Sequence, residues 1–411
     1  MAKVGLVLSG GVAKGAYEAG VLKAFAERGV QPDVIVGISA GAMNGTVVAG
    51  LLMQEQFSGA NIEKKLYDVW RKQVSLQHFY KAGTEEHSLD GSGRALSQLF
   101  SRFGIDPFSK VYLPTRFDTQ ALDTLEKMLK GHFSSIFSGA YFRQLTQELV
   151  LPAAIKRPVR FSAVMCNLLG GTSLVDEEER IENSWAHYED FHWYPEMPHA
   201  ENFVQFNRLL DVITGSGAFP LMFPPLRMTP AGAGKAGLYI DGGMTDNSPI
   251  GKAIAMDGDI DTLFVVMATT IVPPLDKEPR TIMTIFSRMC EMLAGKFLIN
   301  NYHKVLKVNR RITALQRVLE QDADGRIKDS EFNHTLCEAA GFRNVEDFRR
   351  RRVVRIIPVI PSTPLVGDLF AGFHDTALIG RYIETGYQDG HNVLAKRFAC
   401  GSTVHTNESE E

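Results

Sequence analysis

The segment Gly37-Ile38-Ser39-Ala40-Gly41 constrains this chain more than any other. It follows Asp33-Val34-Ile35-Val36, which reads as a short buried strand, and leads into Ala40 to Gly50, a small-residue stretch suited to a packed helix. In a strand–turn–helix context, G-x-S-x-G holds a serine at the tip of a sharp turn, and glycines on both sides relieve the crowding. A serine held there, above a helix N-terminus, is oriented to attack a carbonyl carbon. In isolation the pattern equally fits an ordinary turn of a Gly-rich chain. Two further segments decide between these readings.

At the N-terminus, Val4-Gly5-Leu6-Val7-Leu8 predicts a buried strand, and Ala16 to Arg28 has helical periodicity. Between them, Ser9-Gly10-Gly11-Val12-Ala13-Lys14-Gly15 offers several backbone amides at a helix start, where an anion is stabilised. A phosphate-binding loop would need Lys and Ser/Thr after Gly15, where Ala16 and Tyr17 stand. A dinucleotide loop would need glycine at Val12, and no acidic residue sits well about twenty positions on. An oxyanion hole for the product of Ser39 attack is the reading that remains.

The third segment is Tyr239-Ile240-Asp241-Gly242-Gly243, where a strand ends on a carboxylate and two glycines turn the backbone away. It is a plain Asp-Gly turn, or it carries the base for Ser39 in a dyad without histidine.

The three segments, in this order, resemble the patatin-like phospholipases, serine lipid acyl hydrolases with a Ser-Asp dyad. The resemblance rests on Gly10 to Gly15 with Lys14 before the last glycine, Gly37 to Gly41, and Asp241-Gly242-Gly243. Ser216-Gly217-Ala218-Phe219-Pro220, Phe223-Pro224-Pro225 and Asp246-Asn247-Ser248-Pro249 resemble the family more loosely. It implies Ser39 as nucleophile, Asp241 as base, and the amides of Gly10, Gly11 and Val12 as the oxyanion hole. Lys14, Gly15, Gly37, Gly41, Gly242 and Gly243 would support them. The implied fold is a three-layer α/β fold, a mainly parallel central sheet with helices on both faces and a helical insertion. The implied activity is hydrolysis of a carboxylic ester in a phospholipid or other lipid, without a cofactor. A lipid acyltransferase on the same dyad and a weakly active regulatory lipid-binding protein are the alternatives.

Val12 departs from the family pattern, which has glycine there. A β-branched residue opposes positive φ, so a misaimed amide is expected to lower turnover. Val12→Gly is expected to raise turnover roughly 3- to 30-fold and to lower stability by up to about 1 kcal/mol.

Residues 3–272 are expected to form the catalytic domain, with 57–150 a helical insertion or cap and 173–204 an aromatic and acidic loop. A C-terminal helical region with a final strand (273–400) and a flexible tail (401–411) would follow. The cap helices are placed at Asn61 to Gln73, Ser88 to Phe103, Asp118 to Leu129 and Ser138 to Val150. In the 173–204 loop, Trp185, Tyr188, Trp193 and Tyr194 would either touch lipid or pin the loop to the body.

At 45% hydrophobic and 22% charged residues the chain is not disordered, and a net charge of −3 argues against nucleic acid. The first strand starts too early for a signal peptide, and no run reaches a membrane-spanning length. Cys166, Cys290, Cys337 and Cys400 show neither disulfide nor metal spacing. A cytoplasmic protein with peripheral membrane contact is expected, although an exported effector would have the same composition. Arg349 to Arg352 with Arg355 would end a helix or meet anionic headgroups. Residues 320–332 resemble a calcium loop through Asp322, Asp324 and Glu331, but Glu320 stands where aspartate is the rule, so a polar turn is the stronger expectation.

Overall fold

The computed structural model describes residues 3–74, 140–149, 155–170, 172–175, 181–220, 222–230, 236–270, 282–321, 335, 337–339, 341–342 and 352–400. Ten strands are described: β1 (Lys3–Leu8), β2 (Val34–Ile38), β3 (Val159–Asn167), β4 (Thr172–Val175), β5 (Ile181–Ser184), β6 (Ala186–Trp193), β7 (Leu226–Met228), β8 (Gly237–Asp241), β9 (Ile260–Val266) and β10 (Arg355–Val359). The principal helices are α1 (Ala16–Glu27), α2 (Ala40–Met53), α3 (Ala140–Leu149), α4 (His199–Ser216), α5 (Ile250–Met256), α6 (Ile282–Gln321) and α7 (Thr376–Cys400).

Strands β10-β9-β1-β2-β3 lie side by side and are all parallel. Strands β6, β8 and β7 extend the sheet in antiparallel pairings, while β4 and β5 form a separate ribbon. The parallel strands of the centre, β9, β1, β2 and β3, are apolar on both faces, as a sheet covered on both sides requires. Their two-residue period divides the core. Leu6, Leu8, Ile35, Phe264 and Val266 pack with α1, α2, α4 and α7. Val7, Val34, Val36, Leu263 and Val265 pack on the opposite face with Ile250 and Ala253 of α5 and Ala294 and Leu298 of α6. The α/β architecture expected from the sequence, a mainly parallel sheet between helices, is therefore present.

The edge of β3 positions the site. Residues 160–164 of β3 pair with β2 on one edge and with β6 on the other. One residue further on, Met165 pairs with Asp241 of β8 while still pairing with His187 of β6. Strand β8 therefore takes over the edge that β2 vacates. The last paired residue of β2 is Ile38, so Ser39 and Asp241 emerge at the same point of the sheet from opposite chain directions.

One expectation is corrected. Part of the segment 173–204 is not a loop: β6 runs the full length of β3, and α4 begins at His199. The physical reason is alternation. Glu189, Phe191 and Trp193 face inward while Asp190 and His192 face solvent, and Trp193 is buried in a stack with Phe191. Trp185, just before the strand, is exposed. In the expected cap, residues 59–73 are helical and Ala140–Leu149 forms α3. The helices expected at Ser88 to Phe103 and Asp118 to Leu129 lie outside the described residues, as do Arg349 to Arg351, the calcium-type loop with Asp322, Asp324 and Glu331, and residues 401–411. Arg352 pairs with Asp259 at 3.2 Å.

Helix α7 lies along α1, and the two backbones touch at Gly386. A Cβ at that position would overlap the carbonyl oxygen of Tyr17, whereas one at Gly380 of the same helix would meet nothing within 4 Å. Alanine is favoured over glycine inside a helix by about 1 kcal/mol, but forcing atoms into a filled contact typically costs ~1–3 kcal/mol or more. Gly380→Ala should therefore raise the urea midpoint, and Gly386→Ala should lower it despite the same propensity gain. Equal shifts for the two variants would contradict the close helix contact.

Candidate active site

Ser39 stands between β2 and α2 with φ 53° and ψ −123°, a conformation that a side chain opposes and that costs of order 1–3 kcal/mol. Its neighbours make the turn sterically possible. A Cβ at Gly41 would strike the carbonyl of Leu8, and one at Gly37 would strike the backbone of Ala42. The turn is then pinned by Ser216 at the end of α4. The Ser39 amide donates to Ser216 Oγ at 2.9 Å, and that hydroxyl donates to the Val164 carbonyl at 2.7 Å. Ser39 itself is only 7% exposed.

Asp241 ends β8 and is 2% exposed. Its Oδ1 accepts the Gly243 amide at 2.8 Å, within the single turn Gly242–Met244. Its Oδ2 is buried with no partner of full hydrogen-bond geometry. The Ser39 side chain nevertheless lies near enough to act on the carboxylate as a donor, a loose arrangement common in sites without a bound substrate. Burial raises the Asp241 pKa to about 6, against the opposing pull of Ser39 and the Gly243 amide. A carboxylate of that strength is a better proton acceptor at neutral pH than one in water.

The Gly-rich loop crosses directly in front of Ser39: a Cβ on Gly10 would lie 3.2 Å from the Ser39 Cβ. Asn247 clamps it, accepting the Gly10 amide on Oδ1 at 2.8 Å and donating to the Gly10 carbonyl from Nδ2 at 3.3 Å. The Gly10 amide is thus occupied. Ala13 N–H donates to the Leu369 carbonyl and Lys14 N–H to that of Gly11. The amides of Gly11 and Val12 have no acceptor among the described residues. Gly15 follows as the capping residue immediately before α1.

Val12 adopts φ +50°. The loop thus keeps the left-handed backbone that a glycine would take, and the valine bears the strain.

Lys14 neither reaches the cavity nor points to solvent. It is 4% exposed and its Nζ meets Glu291 Oε1 of α6 at 2.7 Å. Such a buried pair adds little net stability, yet losing one partner is costly because a charge is left unpaired in the interior. Behind the loop, Glu18 is fully buried and accepts from Asn44 Nδ2 at 2.9 Å. Burial raises its pKa well above the carboxylate range. Both Glu18 and Asp241 make the folded chain hold protons that the unfolded chain releases. Their contribution to stability is greatest below their unfolded pKa values and declines as pH rises through the folded ones, about 6 for Asp241.

Two cavities meet at Ser39, and both are bounded by Val12, Ser39 and Phe219. One also touches Asp241, Asn247, Thr269 and Glu291. The other is walled by Met43, Trp70, Val74, Phe223 and Phe373. Both cavities are mainly apolar, and the polar side chains that line them gather in the first, on the Asp241 side of the serine. No group of three or more metal-ligating side chains occurs among the described residues, and no helix among them is long and apolar enough to cross a membrane.

Three contributors escape a sequence reading. Ser216 and Asn247 stand within the looser family segments, but nothing local marks one as the pin of the elbow and the other as the clamp of the loop. Glu291 sits in a helix of unremarkable sequence, and only the tertiary fold brings it to Lys14.

Sheet, elbow, Gly-rich loop and buried carboxylate thus converge on Ser39. The family model described as patatin-like phospholipase matches residues 6–254, more than half of the chain, and the chain belongs to that family of lipid hydrolases. Comparison with curated proteins gives no match. Among solved structures the chain is similar to VipD from Legionella pneumophila, at 15% identity over 96% of this chain and 67% of that one, with a TM-score of 0.36. It is also similar to a structure of full-length ExoU with SpcU, from the type III secretion system of Pseudomonas aeruginosa. That match has 12% identity over 99% of this chain and 75% of the other, with a TM-score of 0.24.

The Val12 conformation changes two expectations. The backbone is already where glycine would put it, so Val12→Gly should alter turnover by less than about threefold. Relief of ~1–2 kcal/mol of left-handed strain exceeds the ~0.4–1 kcal/mol that a more flexible unfolded chain costs. Val12→Gly should therefore raise the denaturation midpoint, and a lowered midpoint would contradict the strained loop.

Proposed function

We propose that this chain hydrolyses carboxylic esters of lipids by a two-residue mechanism. Ser39 Oγ attacks the ester carbonyl as Asp241 Oδ2 takes its proton. The negative oxygen that forms is held by the free amides of Gly11 and Val12, while Gly10 serves to fix the loop through Asn247. Collapse of the intermediate releases the alcohol, which leaves with the proton from Asp241, and an acyl group stays on Ser39. Asp241 then takes a proton from water, whose oxygen attacks the acyl carbonyl. The fatty acid departs and the proton returns to Ser39.

The observation that carries this reading is the buried Oδ2 of Asp241, unpartnered except for the nearby Ser39 side chain. Leaving such an oxygen without a full hydrogen bond costs about 1–3 kcal/mol, a cost that a role in proton transfer accounts for. The apolar cavity walled by Met43, Trp70, Val74, Phe223 and Phe373 beyond Ser39 supports an acyl chain.

Ser39→Ala should lower turnover at least ~10³-fold with the fold intact, and Asp241→Asn by a similar factor, because paired residues act as a unit. The double variant should be little worse than either. In the unmodified chain, kcat/KM should rise with pH through an apparent pKa of about 6, the value at which Asp241 becomes a base. A profile flat across that range, or loss of activity on changing a histidine while Asp241→Asn is spared, would overturn the dyad.

A further inference from the structure

Helix α6 has two faces of different chemistry. At about 100° per residue, Ser287, Glu291, Ala294 and Leu298 fall on one side, and all are buried. That side packs on the sheet, and Glu291 and Ala294 border the cavity that holds Ser39 and Asp241. Ile285, Met289, Met292 and Ile299 fall on the other side and are exposed by 45, 54, 59 and 36%. Single exposed apolar residues are ordinary; a row of them along one helix is not.

The same row continues in positive charge. Lys296, Lys307, Arg310 and Arg317 are exposed on the side that carries the methionines. Between Ile282 and Gln321 the only carboxylates are Glu291, which is buried against Lys14, and Glu320. The outer face is thus apolar over its first half and cationic over its second, in a chain whose net charge is −3. A second copy of the chain fits this face poorly, since the row has no carboxylate to meet its own cations. An anionic lipid surface fits both halves. Apolar side chains enter the acyl boundary, and lysine and arginine meet headgroup phosphates.

We propose that the outer face of α6 docks this protein onto an anionic lipid surface. Docking would hold the cavity about one helix diameter, ~10 Å, from the lipid. That consequence rests on the ester-hydrolase reading of the site, whereas the binding itself does not.

The test uses the full chain with Ser39→Ala, so that binding is measured without turnover, sedimented with phosphatidylcholine vesicles with or without phosphatidylserine. The parent should partition onto the anionic vesicles. Met289→Glu with Met292→Glu should lower that partition at least ~10-fold. Lys307→Glu with Arg310→Glu should lower it by a similar factor on anionic vesicles and little on neutral ones. With Ser39 restored, both pairs should cleave a soluble monomeric ester within about twofold of the parent while losing action on vesicles. Absence of vesicle binding by the parent, or equal binding by the variants, would overturn the proposal. So would a parent dimer that Met289→Glu dissociates. Expected binding without any ester cleavage would leave the docking face standing and remove the hydrolase reading.

Discussion

Everything at the site depends on one shared strand edge. Strand β2 pairs with β3 as far as Val164, and β8 resumes the pairing at Met165 from the opposite direction. The peptide hydrogen bonds of that edge bring together two residues about two hundred positions apart in the chain. They place Ser39 and Asp241 more firmly than a loop would, because sheet backbone is among the least mobile parts of a fold. Ser216 ties the same edge to the elbow, since its hydroxyl bridges the Ser39 amide and the Val164 carbonyl.

Strain and burial at the site are compensated by neighbours. Ser39 and Val12 both hold positive φ without being glycine, and each is fixed by hydrogen bonds on adjoining groups. The Asn247 clamp on Gly10 and the Lys14–Glu291 pair hold the loop from two directions. Asn301 of α6 adds a third link. It donates to Asp246 and to the Ser248 carbonyl, beside Asn247. Helix α6 is therefore joined to both ends of the loop system that surrounds Ser39, which makes its outward face a natural place for a surface to act on the site.

The three motifs were legible in sequence because each is a local solution to a local problem. A strand must end in a turn too tight for Cβ, or on a carboxylate followed by glycine. The apolar runs of β1 and β2 are legible for the same reason, since a strand covered on both faces is apolar throughout. What brings the motifs together is not local. The handover from β2 to β8 depends on the register of β3, and neither Ser216 nor Glu291 carries a mark of its partner. Strand β6 was missed because its alternating pattern is built from histidine, aspartate and glutamate as well as aromatics, a composition that suggests a solvated loop. Val12 was recognised as a departure, but only the backbone shows that the fold keeps the glycine conformation and strains the valine.

The central claim is that Ser39 is a nucleophile activated by Asp241, and covalent trapping tests it most directly. Intact-mass analysis after treatment with an organophosphonate ester should show one adduct per chain, mapping to the peptide that contains Ser39. Asp241→Asn should form it at least ~10²-fold more slowly, since the proton acceptor is gone. An adduct on another residue, or labelling of Ser39 at an unchanged rate in Asp241→Asn, would contradict the account.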